Sequence, residues 1–456
     1  RPMNIDWPNT ASARAARNAC ARIQNAGFEA WITGGAVRNL LIGIPPKDFD
    51  IATSATPEEL EGLFAKTILV GKQFGTVVLI QDGHPIETTT FRQEGPYPDG
   101  RHPAWIQPGS LETDAHRRDF TVNALYFDPI QQRLQDPTNG IQDLHAKLLR
   151  AVGDPNQRFQ EDHLRILRLV RFSDQIGFSI ETETAEAARQ NAHHLPRVSA
   201  ERIGQELDRA WHTPSPVTAL DLLSDMGLLP IILPEVEAMK AVQQPPQFHP
   251  EGDVYLHTRG CIAELSNAPA DLVWAALLHD VGKPRTFQLD DSEAPPRIRF
   301  HQHELVGAQM TREILRRLRF PNRRIDRVAN LVRDHMKFRC APEMRPGKLK
   351  VLLSRPTIDL ALELFRIDCL ASARDLDTYH LLMIKRTEME SAPPIAPPFL
   401  TGADLISAGL TPGPRFSRIL TDARNLQLDG QLESKPAALE WLRHTIETYQ
   451  DPPGDA

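Results

Sequence analysis

Apolar and polar positions near the start of the chain follow two different periods. Residues 11–26 place apolar side chains at helical spacing and stop at Gly27, which suits the C-terminal end of a helix. Short alternating stretches predict strands at FEAWIT, DFDIAT, GTVVLIQ and PIETTTF, and helical spacing predicts helices at VRNLLIG and PEELEGLFA. The pattern therefore predicts a small mixed α/β domain.

The pattern becomes helical from about Asp154 onward. Long helices are predicted at RFQEDHLRILRLVRF, ERIGQELDRAW and ALDLLSDMGLL, with few strand signals after them. Two proline-rich stretches, QQPPQFHP and SAPPIAPPF, indicate boundaries near residues 245 and 395. We therefore predict an α+β chain with an α/β head at 1–152, a helical neck at 153–245, a helical domain at 246–390 and a helical tail at 391–456.

Composition restricts the classes of protein that fit. Of the 456 residues, 41% are apolar and 24% are charged. No apolar run approaches the roughly 18 residues of a membrane span. The stretch RPMNIDWPNT lacks the basic and apolar segments of a signal peptide, so we expect a cytoplasmic location and no membrane partner. The four cysteines lack CxxC spacing and are interpreted as reduced thiols without a functional role.

Charge narrows the surfaces that could meet a polyanion. The formal net charge of −7 argues against binding nucleic acid with the whole surface. Residues 311–328 nevertheless carry seven arginines against two acidic residues. On charge alone, this run fits either a solvated helix face or a local surface for phosphates.

Two carboxylates follow a paired glycine in GGAVRNLLIGIPPKDFDIAT. Within a strand, Asp48 and Asp50 would point to the same face, with Phe49 turned into the core. Oxygen ligands of this kind suit Mg²⁺, which often completes its shell with substrate phosphates. Glu87, in the later strand PIETTTF, is a third carboxylate that could act as ligand or base. The alternative is a solvated strand end.

The glycines lie where a predicted strand gives way to a predicted helix. Gly34 and Gly35 could turn backbone amides toward an anion there, and Arg38 could hold a triphosphate. Together with the carboxylates, these residues have the parts that phosphoryl transfer requires.

Several separate motifs in this order resemble one family. GG, Arg38, DFD, TTFRQEGPYPDGRHP and RRDFTVNAL resemble the head domain of the class II tRNA nucleotidyltransferases and bacterial poly(A) polymerases, in the polymerase-β-like superfamily. The resemblance runs from about residue 28 to 207 and implies Mg²⁺ ligation by Asp48 and Asp50, supported by Glu87. It also implies nucleotide contacts from Gly34, Gly35, Arg38, Arg118, Asp119, Asn123 and Arg168. Asn39 departs from the family, which commonly has Asp there.

EDHLRILRLVRF resembles the family's nucleotide-selection motif. On one helix, Asp162 and Arg165 would share a face and could read the edges of cytosine and adenine. Guanine and uracil would turn a carbonyl toward Asp162, and an unsatisfied buried group costs about 1 to 3 kcal/mol. ERIGQEL, at 201–207, resembles the next family motif, which implies that Glu201 and Arg202 brace this helix. The alternative is a surface ion pair.

The segment from Glu94 to Asp114 resembles the family's flexible loop, which serves as a lever when selection changes from C to A. Its presence favours complete CCA synthesis over C-only addition. GKQFGTVVL, at 71–79, is closer to the tRNA enzymes than to the poly(A) polymerases.

A second resemblance covers about residues 250–372. His257, His279, Asp280 and Asp368 resemble the ligands of the HD phosphohydrolase superfamily, with His303 and His335 lining the same cavity. Imidazoles with carboxylates suit a divalent metal such as Mn, Ni, Fe or Mg. The resemblance implies activity on cyclic or terminal phosphates of RNA, or an HD fold kept only as an RNA platform. The tail segment 399–420 suits either a phosphate-binding turn at LTPGP or a simple helix-turn-helix.

These observations predict a polymerase-β-like nucleotidyltransferase head, an all-α neck, an HD-type domain and a helical tail. The expected reaction adds C, C and A to the 3′ end of tRNA from CTP and ATP, depends on Mg²⁺ and releases pyrophosphate. A poly(A) polymerase or A-adding enzyme, a chain whose main activity is the HD phosphohydrolase, and a non-catalytic RNA-binding protein remain as alternatives. Oligomeric state is not predicted.

Overall fold

The computed structural model describes residues 5–71, 75–100, 103–246, 249–292, 296–372, 374–390 and 396–446. These residues form two compact units. The first comprises the described residues up to Glu237, with Leu265–Ala270 and Ile314–Phe320, and the second comprises the other described residues. Parts of the expected boundaries at 243–250 and 391–399, and residues 72–74 of GKQFGTVVL, lie outside the described residues.

The first unit begins with a mixed sheet and its helices. Its strands are β1 (Ala30–Thr33), β2 (Asp50–Thr53), β3 (Thr67–Gly71), β4 (Thr76–Gln81), β5 (His84–Thr90), β6 (Arg92–Glu94), β7 (Ile106–Pro108), β8 (Tyr126–Asp128) and β9 (Arg133–Gln135). The helices among them are α1 (Ala11–Asn25), α2 (Gly35–Leu41), α3 (Pro57–Leu63), α4 (Leu111–His116) and α5 (Gly140–His145). A 3₁₀ helix spans Thr121–Asn123.

The main sheet has the strand order β3-β4-β5-β2-β1-β8-β9. Strands β2 and β5 run parallel, and the other neighbouring pairs in the sheet run antiparallel. Strands β6 and β7 form a separate antiparallel pair. This order places β2, which begins at Asp50, in the middle of the sheet.

Helix α1 covers the sheet with small side chains. Thr10 caps its first turn by accepting from the Ala13 N–H, and Gly27 follows the helix with a φ of +92°, close to the predicted end. Alanines on the buried face allow close approach of helix and sheet. Phe49 is also buried, and its ring centroid lies 5.1 Å from that of Trp7. The predicted inward orientation of Phe49 is confirmed.

The rest of the first unit is mainly helical. Its helices are α6 (Pro155–Glu161), α7 (Arg165–Ile176), α8 (Thr182–Asn191), α9 (Ala200–Trp211), α10 (Pro216–Asp225), α11 (Leu229–Ile232) and α12 (Pro234–Glu237). A 3₁₀ helix spans Ala192–Arg197. A parallel two-residue pairing joins β10 (Leu148–Leu149), which precedes α6, to β11 (Ser179–Ile180), which lies between α7 and α8. The helix predicted across RFQEDHLRILRLVRF is two helices, since the chain leaves α6 at Asp162, where φ is −141°.

The described residues of the later part of the chain are mainly helical and include one antiparallel pair of strands. Its helices are α13 (Val254–Ala263), α14 (Ala270–Leu278), α15 (Lys283–Thr286), α16 (His303–Arg317), α17 (Asn322–Asp334), α18 (Pro346–Leu353), α19 (Ile358–Leu370), α20 (Asp377–Glu390), α21 (Gly402–Ser407), α22 (Pro414–Leu428) and α23 (Lys435–Thr445). A 3₁₀ helix spans His335–Glu343, and β12 (Phe287–Asp290) pairs antiparallel with β13 (Arg297–Phe300). None of the helices in the described ranges is both long enough and apolar enough to cross a bilayer.

The tail helices have a small apolar core of their own. Leu405, Ile419, Ala438 and Leu442 are buried together in it. The α/β head and the helical remainder agree with the predicted α+β class.

Candidate active site

The glycine turn lies directly against a carboxylate of the central strand. Thr33, the last residue of β1, pairs with Asp50, the first residue of β2. Gly34 follows with a φ of +70°, which favours glycine. A Cβ placed on Gly34 would lie 3.7 Å from Asp50 Oδ2 and 3.7 Å from an Arg118 guanidinium nitrogen. The turn therefore brings backbone, carboxylate and guanidinium into one small space.

Asp50 carries negative charge that its surroundings compensate poorly. Because Ile51 pairs with Thr88 in the parallel register, the preceding residues Asp50 and Glu87 stand side by side on β2 and β5. Although part of its side chain is exposed, the pKa of Asp50 is raised to about 6, first by desolvation among the surrounding protein atoms and next by Glu87. Arg118 opposes this rise in pKa, and Asp48 adds to it. Three carboxylates and few cations form a donor set that fits a hard dication such as Mg²⁺.

The position of Asp48 differs from the prediction, which placed it in the same strand as Asp50. Strand β2 begins at Asp50, so Asp48 lies in the segment before the strand and the two residues do not alternate within one strand. The Phe49 side chain between them is buried, while Asp48 is exposed. The positions of the Asp48 and Asp50 carboxylates therefore depend on the buried Phe49 between them and on the start of β2, and not on the alternation of side chains within a strand.

Arg118 is held rigidly beside the turn. Its Nε donates to the Tyr126 hydroxyl at 2.8 Å, and a terminal nitrogen donates to Asp114 Oδ2 at 3.0 Å. The Tyr126 hydroxyl donates to the same oxygen of Asp114 at 2.7 Å. Asp114 is buried and is a positioning residue that the sequence interpretation missed. Its spacing of three and four residues before Arg117 and Arg118, which follow the end of α4, was the available signal.

Most of the other predicted nucleotide contacts form one hydrogen-bonded chain. Arg38 donates to Asn123 Oδ1 at 2.7 Å, and Asn123 donates to Asp119 Oδ1 at 3.2 Å. Arg168 donates twice to Asp119 Oδ2, at 2.9 and 2.6 Å. Arg38 is 2% exposed, and burial lowers its pKa to about 10. Arg38 is therefore part of the wall of the site.

Asn39, at the position where the family commonly has Asp, contacts the Arg38 guanidinium. Its Oδ1 accepts from Arg38 Nε at 3.1 Å and from a terminal nitrogen at 2.9 Å. A neutral amide thus fixes the orientation of the Arg38 guanidinium without adding charge.

Asp119 should make stability depend on pH in acid. Burial alone would raise its pKa, but the charge of Arg168 and the hydrogen bonds from Arg168 and Asn123 lower the pKa from 3.8 to about 2. A lowered folded-state pKa gives stability that is complete above pH 4 and is lost as the pH falls toward 2. We expect Asp119→Asn to remove about 2 kcal/mol of the free energy of unfolding at pH 7, and much less near pH 2.

Urea denaturation of the wild-type and Asp119→Asn proteins between pH 2 and 7 measures this difference. An equal loss of stability at every pH would contradict the assignment to the Asp119 carboxylate.

The selection residues lie on either side of a turn. Asp162 follows α6, accepts the Leu164 N–H at 3.1 Å and pairs with Arg202 at 2.8 Å. Arg165, the first residue of α7, instead donates to Glu161 at 2.8 Å. The prediction that Asp162 and Arg165 share one helix face is therefore wrong, because the helix is interrupted between them.

Of the two residues expected to brace the selection helix, Arg202 contacts Asp162, in the segment between α6 and α7. Glu201 instead accepts a hydrogen bond from Gln205, one turn along its own helix, at 3.2 Å.

The predicted flexible loop, 94–114, includes ordered structure among its described residues. Strands β6 and β7 pair Glu94 with Ile106 near its ends, and α4 begins at Leu111. A Cβ placed on Gly100 would clash with the His163 ring, which lies in the turn after Asp162. The 94–114 loop therefore packs against the turn between α6 and α7, which contains Asp162 and His163. Residues 101 and 102 lie outside the described part.

A second group of titratable side chains is buried in the other unit. His257 Nε2 lies 3.1 Å from Asp368 Oδ1 and 3.3 Å from His279 Nε2. Cys261 Sγ lies 3.7 Å from the same His257 nitrogen. Candidate ligand atoms of these four residues all lie within 4.8 Å of one another. The structure thus brings together three of the four predicted HD residues and adds a cysteine.

The fourth predicted residue, Asp280, lies beside this group. Its Oδ2 is 3.2 Å from His279 Nε2 and 2.6 Å from Lys283 Nζ, and its Oδ1 is 3.4 Å from His303 Nε2 and 3.8 Å from His335 Nε2. His279 and Asp280 lie in the turn that follows α14, which ends at Leu278, and not on a helix.

The imidazoles are oriented as metal ligands. In His257, His279, His303 and His335, the Nδ1 atom contacts an acceptor, and the Nε2 atom faces the other buried histidines and carboxylates. A contact of this kind at Nδ1 fixes the tautomer of the ring. The Nδ1 contacts are 2.7 Å for His257 to Glu251, 2.7 Å for His279 to the Ala276 carbonyl, 3.0 Å for His303 to the Phe300 carbonyl and 2.6 Å for His335 to the Val332 carbonyl. His335 Nε2 has no hydrogen-bond partner among the described residues. These donors fit a divalent metal.

The arginine run has partly internal partners. Arg317 pairs with Glu235, and both Arg324 and Arg327 pair with Asp271. Arg312 contacts Asp326 at 3.4 Å. Ion pairs within the protein therefore neutralise much of the positive charge of the 311–328 run, which the sequence offered as a local surface for phosphates.

Three family profiles match successive parts of the chain. The Poly A polymerase head domain matches residues 30–150, and the profile described as "Probable RNA and SrmB- binding site of polymerase A" matches residues 177–240. The HD domain matches residues 254–373. The matches follow the order of the predicted parts.

The similarity of this chain to curated relatives and to solved structures extends over different shares of its length. The CCA-adding enzyme of Geobacillus thermodenitrificans is 45% identical over 44% of this chain, and the alignment spans only about half (50%) of that relative. A crystal structure of the Bacillus stearothermophilus CCA-adding enzyme in complex with CTP has 27% identity and a TM-score of 0.73, and covers 96% of this chain and 98% of its own. The predicted fold, with its nucleotidyltransferase head and HD-type domain, is confirmed by this likeness and the family profiles.

One relative aligns along nearly the whole chain. The CCA-adding enzyme of Lactobacillus helveticus is 32% identical over 423 residues, which are 92% of this chain and 93% of that enzyme. The chain therefore belongs to the CCA-adding enzyme family.

Proposed function

We propose that this chain is a template-independent RNA nucleotidyltransferase that adds C, C and A to the 3′ end of tRNA from CTP and ATP. The observation that carries the proposal is the meeting of Asp50, Glu87 and Arg118 at the Gly34 turn. Family membership supports the same reaction. The Bacillus stearothermophilus relative was solved with CTP, which supports CTP as one substrate.

The residues at the turn have distinct roles in this proposal. Asp48 and Asp50 would hold Mg²⁺, which would stabilise charge on the attacking and leaving oxygens. Backbone amides at Gly34 and Gly35 face the phosphates, and Arg118 supplies a cation that Asp114 and Tyr126 hold in place. Glu87 supports the pair as ligand or base.

The proposed reaction exchanges one phosphorus–oxygen bond for another. The RNA 3′-hydroxyl oxygen forms a bond to the α-phosphorus of the nucleotide, and the bond from that phosphorus to the β-phosphate oxygen breaks. Pyrophosphate leaves with the bonding electrons, and the hydroxyl proton passes to a carboxylate, for which Glu87 is placed next to Asp50.

Base choice rests with the turn between α6 and α7. Asp162 keeps acceptor capacity beyond its contacts with Arg202 and Leu164, since a carboxylate has about four lone-pair sites. It accepts the amino group common to cytosine and adenine, while Arg165 donates to a ring acceptor. The contact of Gly100 with His163 supports a role for the 94–114 loop in adjusting this turn.

The organisation of the chain follows the same proposal. The head spans 1–152, the neck 153–245, the HD-type domain 246–390 and the tail 391–456. The tRNA is held mainly through shape and backbone contacts, because an RNA duplex exposes little readable sequence to side chains. The enzyme acts in the cytoplasm.

A transfer assay tests the reaction. A tRNA transcript that lacks its last three nucleotides is offered CTP, ATP, both, or GTP and UTP with Mg²⁺, and the products are sequenced. We expect CC from CTP alone, CCA from both, and little from GTP and UTP. A long A tail would favour a poly(A) polymerase, and a lone A would favour an A-adding enzyme.

The buried histidine group supports a second activity. We propose that His257, His279, Asp280 and Asp368 hold a divalent metal (Mn, Ni, Fe or Mg) that activates water against phosphoesters at RNA ends, with His303 and His335 in the same cavity. The inward Nε2 atoms carry this proposal.

Phosphate release from 2′,3′-cyclic AMP tests the second activity. Release should be lost with a chelator, restored by one of these metals and lost in His279→Ala. Turnover with none of the metals would leave the HD-type domain as an RNA platform. The tRNA transfer reaction should survive His279→Ala, which separates the two activities.

A further inference from the structure

We propose that Cys261 is a metal ligand in the HD-type domain, together with His257, His279 and Asp368, and biases that site toward thiophilic transition metals. The inference rests on the proposed metal site and goes beyond its expected His and Asp ligands. The sequence spacing of the four cysteines gave no sign of this role.

The first support is position on α13. His257 and Cys261 are four residues apart, so they lie on one face of the helix, one turn from each other. Both side chains are buried, with 0% exposure. Helix α13 therefore delivers an imidazole nitrogen and a sulfur to the same point.

The second support is the spacing of the candidate ligand atoms. In a tetrahedral zinc site, bonds of about 2.0–2.1 Å to nitrogen and about 2.3 Å to sulfur separate the nitrogens by roughly 3.3 Å and nitrogen from sulfur by roughly 3.6 Å. His257 Nε2 lies 3.3 Å from His279 Nε2, 3.7 Å from Cys261 Sγ and 3.1 Å from Asp368 Oδ1. The three separations from His257 Nε2 are close to those around a shared tetrahedral metal, and candidate ligand atoms of all four residues lie within 4.8 Å of one another.

The third support is the surroundings. His257 presents Nε2 inward because Glu251 accepts from its Nδ1, and His279 does the same through the Ala276 carbonyl. A cysteine that only filled the core would be expected to face apolar groups. Cys261 instead points its sulfur at an inward-facing imidazole nitrogen.

Metal identity follows from the donor set. Thiolate is a soft ligand that favours Zn²⁺ over Mg²⁺ or Mn²⁺. Imidazole is less selective and suits Zn, Cu, Fe and Ni. On binding, the sulfur–hydrogen bond breaks, the proton passes to solvent and a sulfur–metal bond forms, with no change of oxidation state. The thiol thus gives this centre a different metal preference from that of the all-oxygen site at Asp50.

Cobalt substitution tests the inference on the full-length protein. Co²⁺ added to the metal-free wild type should produce visible d–d bands and a near-ultraviolet thiolate-to-metal charge-transfer band. Cys261→Ser should lose the charge-transfer band and keep d–d bands. Its preference for Zn²⁺ over Mn²⁺, measured by competition, should fall at least about 10-fold. Cys261→Ala gives a second variant, and circular dichroism checks that both variants fold.

Cys369→Ser is the matched control. Cys369 is also buried and adjoins Asp368, but it is outside the cluster of candidate ligands, so this variant should keep both sets of bands. Wild-type d–d bands without a charge-transfer band, or an unchanged band in Cys261→Ser, would overturn the role of Cys261 and leave the metal site standing. Absence of Co²⁺ binding in the wild type, with His279→Ala no different, would overturn the site itself.

Discussion

Replacing Asp50 by alanine should lower the rate of nucleotide addition to tRNA at least about 1000-fold. The carboxylate stands on the central strand of the sheet, beside Glu87 and the Gly34 turn, where it is the proposed metal ligand. Metal and positioned charge supply most of the catalysis in phosphoryl transfer. Single-turnover extension of a tRNA that ends in CC, with ATP and Mg²⁺, measures the effect.

The Asp50→Ala protein should still fold and bind tRNA. The raised pKa of Asp50 means that its ionised form is disfavoured in the metal-free fold, so its removal is not expected to lower the free energy of unfolding at pH 7. Asp82→Asn is a matched control, because Asp82 lies in the turn between β4 and β5 and contacts Asn18. That variant should extend tRNA at the wild-type rate. Retained transfer in Asp50→Ala would remove the proposed role.

Replacing Asp162 by alanine should relax base choice. The variant lacks the acceptor that pairs with the amino group of cytosine and adenine, and it no longer sets a carboxylate against the carbonyl of guanine or uracil. A difference of about 1 to 3 kcal/mol corresponds to a loss of roughly 5- to 150-fold in preference for CTP over UTP. The ratio of kcat/KM values for the two nucleotides on one tRNA substrate measures it.

Glu201→Gln serves as the control for this experiment. Glu201 adjoins Arg202 in sequence but contacts Gln205 and not Asp162, so the variant should keep the wild-type ratio. An unchanged ratio in Asp162→Ala, with normal tRNA binding, would exclude Asp162 as the reader of the base.

The head and its glycine turn could be predicted because local sequence dictates them. Thr10 and Gly27 delimit α1, and alternating side chains define β2 and β5. Their pairing brings Asp50 next to Glu87, although 37 positions separate them in the sequence. The motifs that resemble the family supplied this long-range relation, since periodicity alone does not specify which strands pair.

Other features depend on tertiary contacts that spacing does not reveal. The break at Asp162 was missed because apolar spacing continues through EDHLRILRLVRF, whereas the side chain of Asp162 bonds the Leu164 N–H and Arg202. Asp114 appeared to be one more acidic loop residue until the structure placed it under Arg118. Cys261 resembled an ordinary buried thiol, and only the packing of α13 against His279 and Asp368 brings it to the metal group.

The most direct test of the account is the location of the catalytic dication. A crystal of the full-length protein with CTP and Mn²⁺ should show an anomalous peak between the Asp48 and Asp50 carboxylates, about 2.0 to 2.5 Å from their oxygens and in contact with the triphosphate. The Gly34 turn should lie against the phosphates. A triphosphate bound elsewhere, or Mn²⁺ density with no contact to Asp48 or Asp50, would contradict the proposed nucleotidyltransferase site.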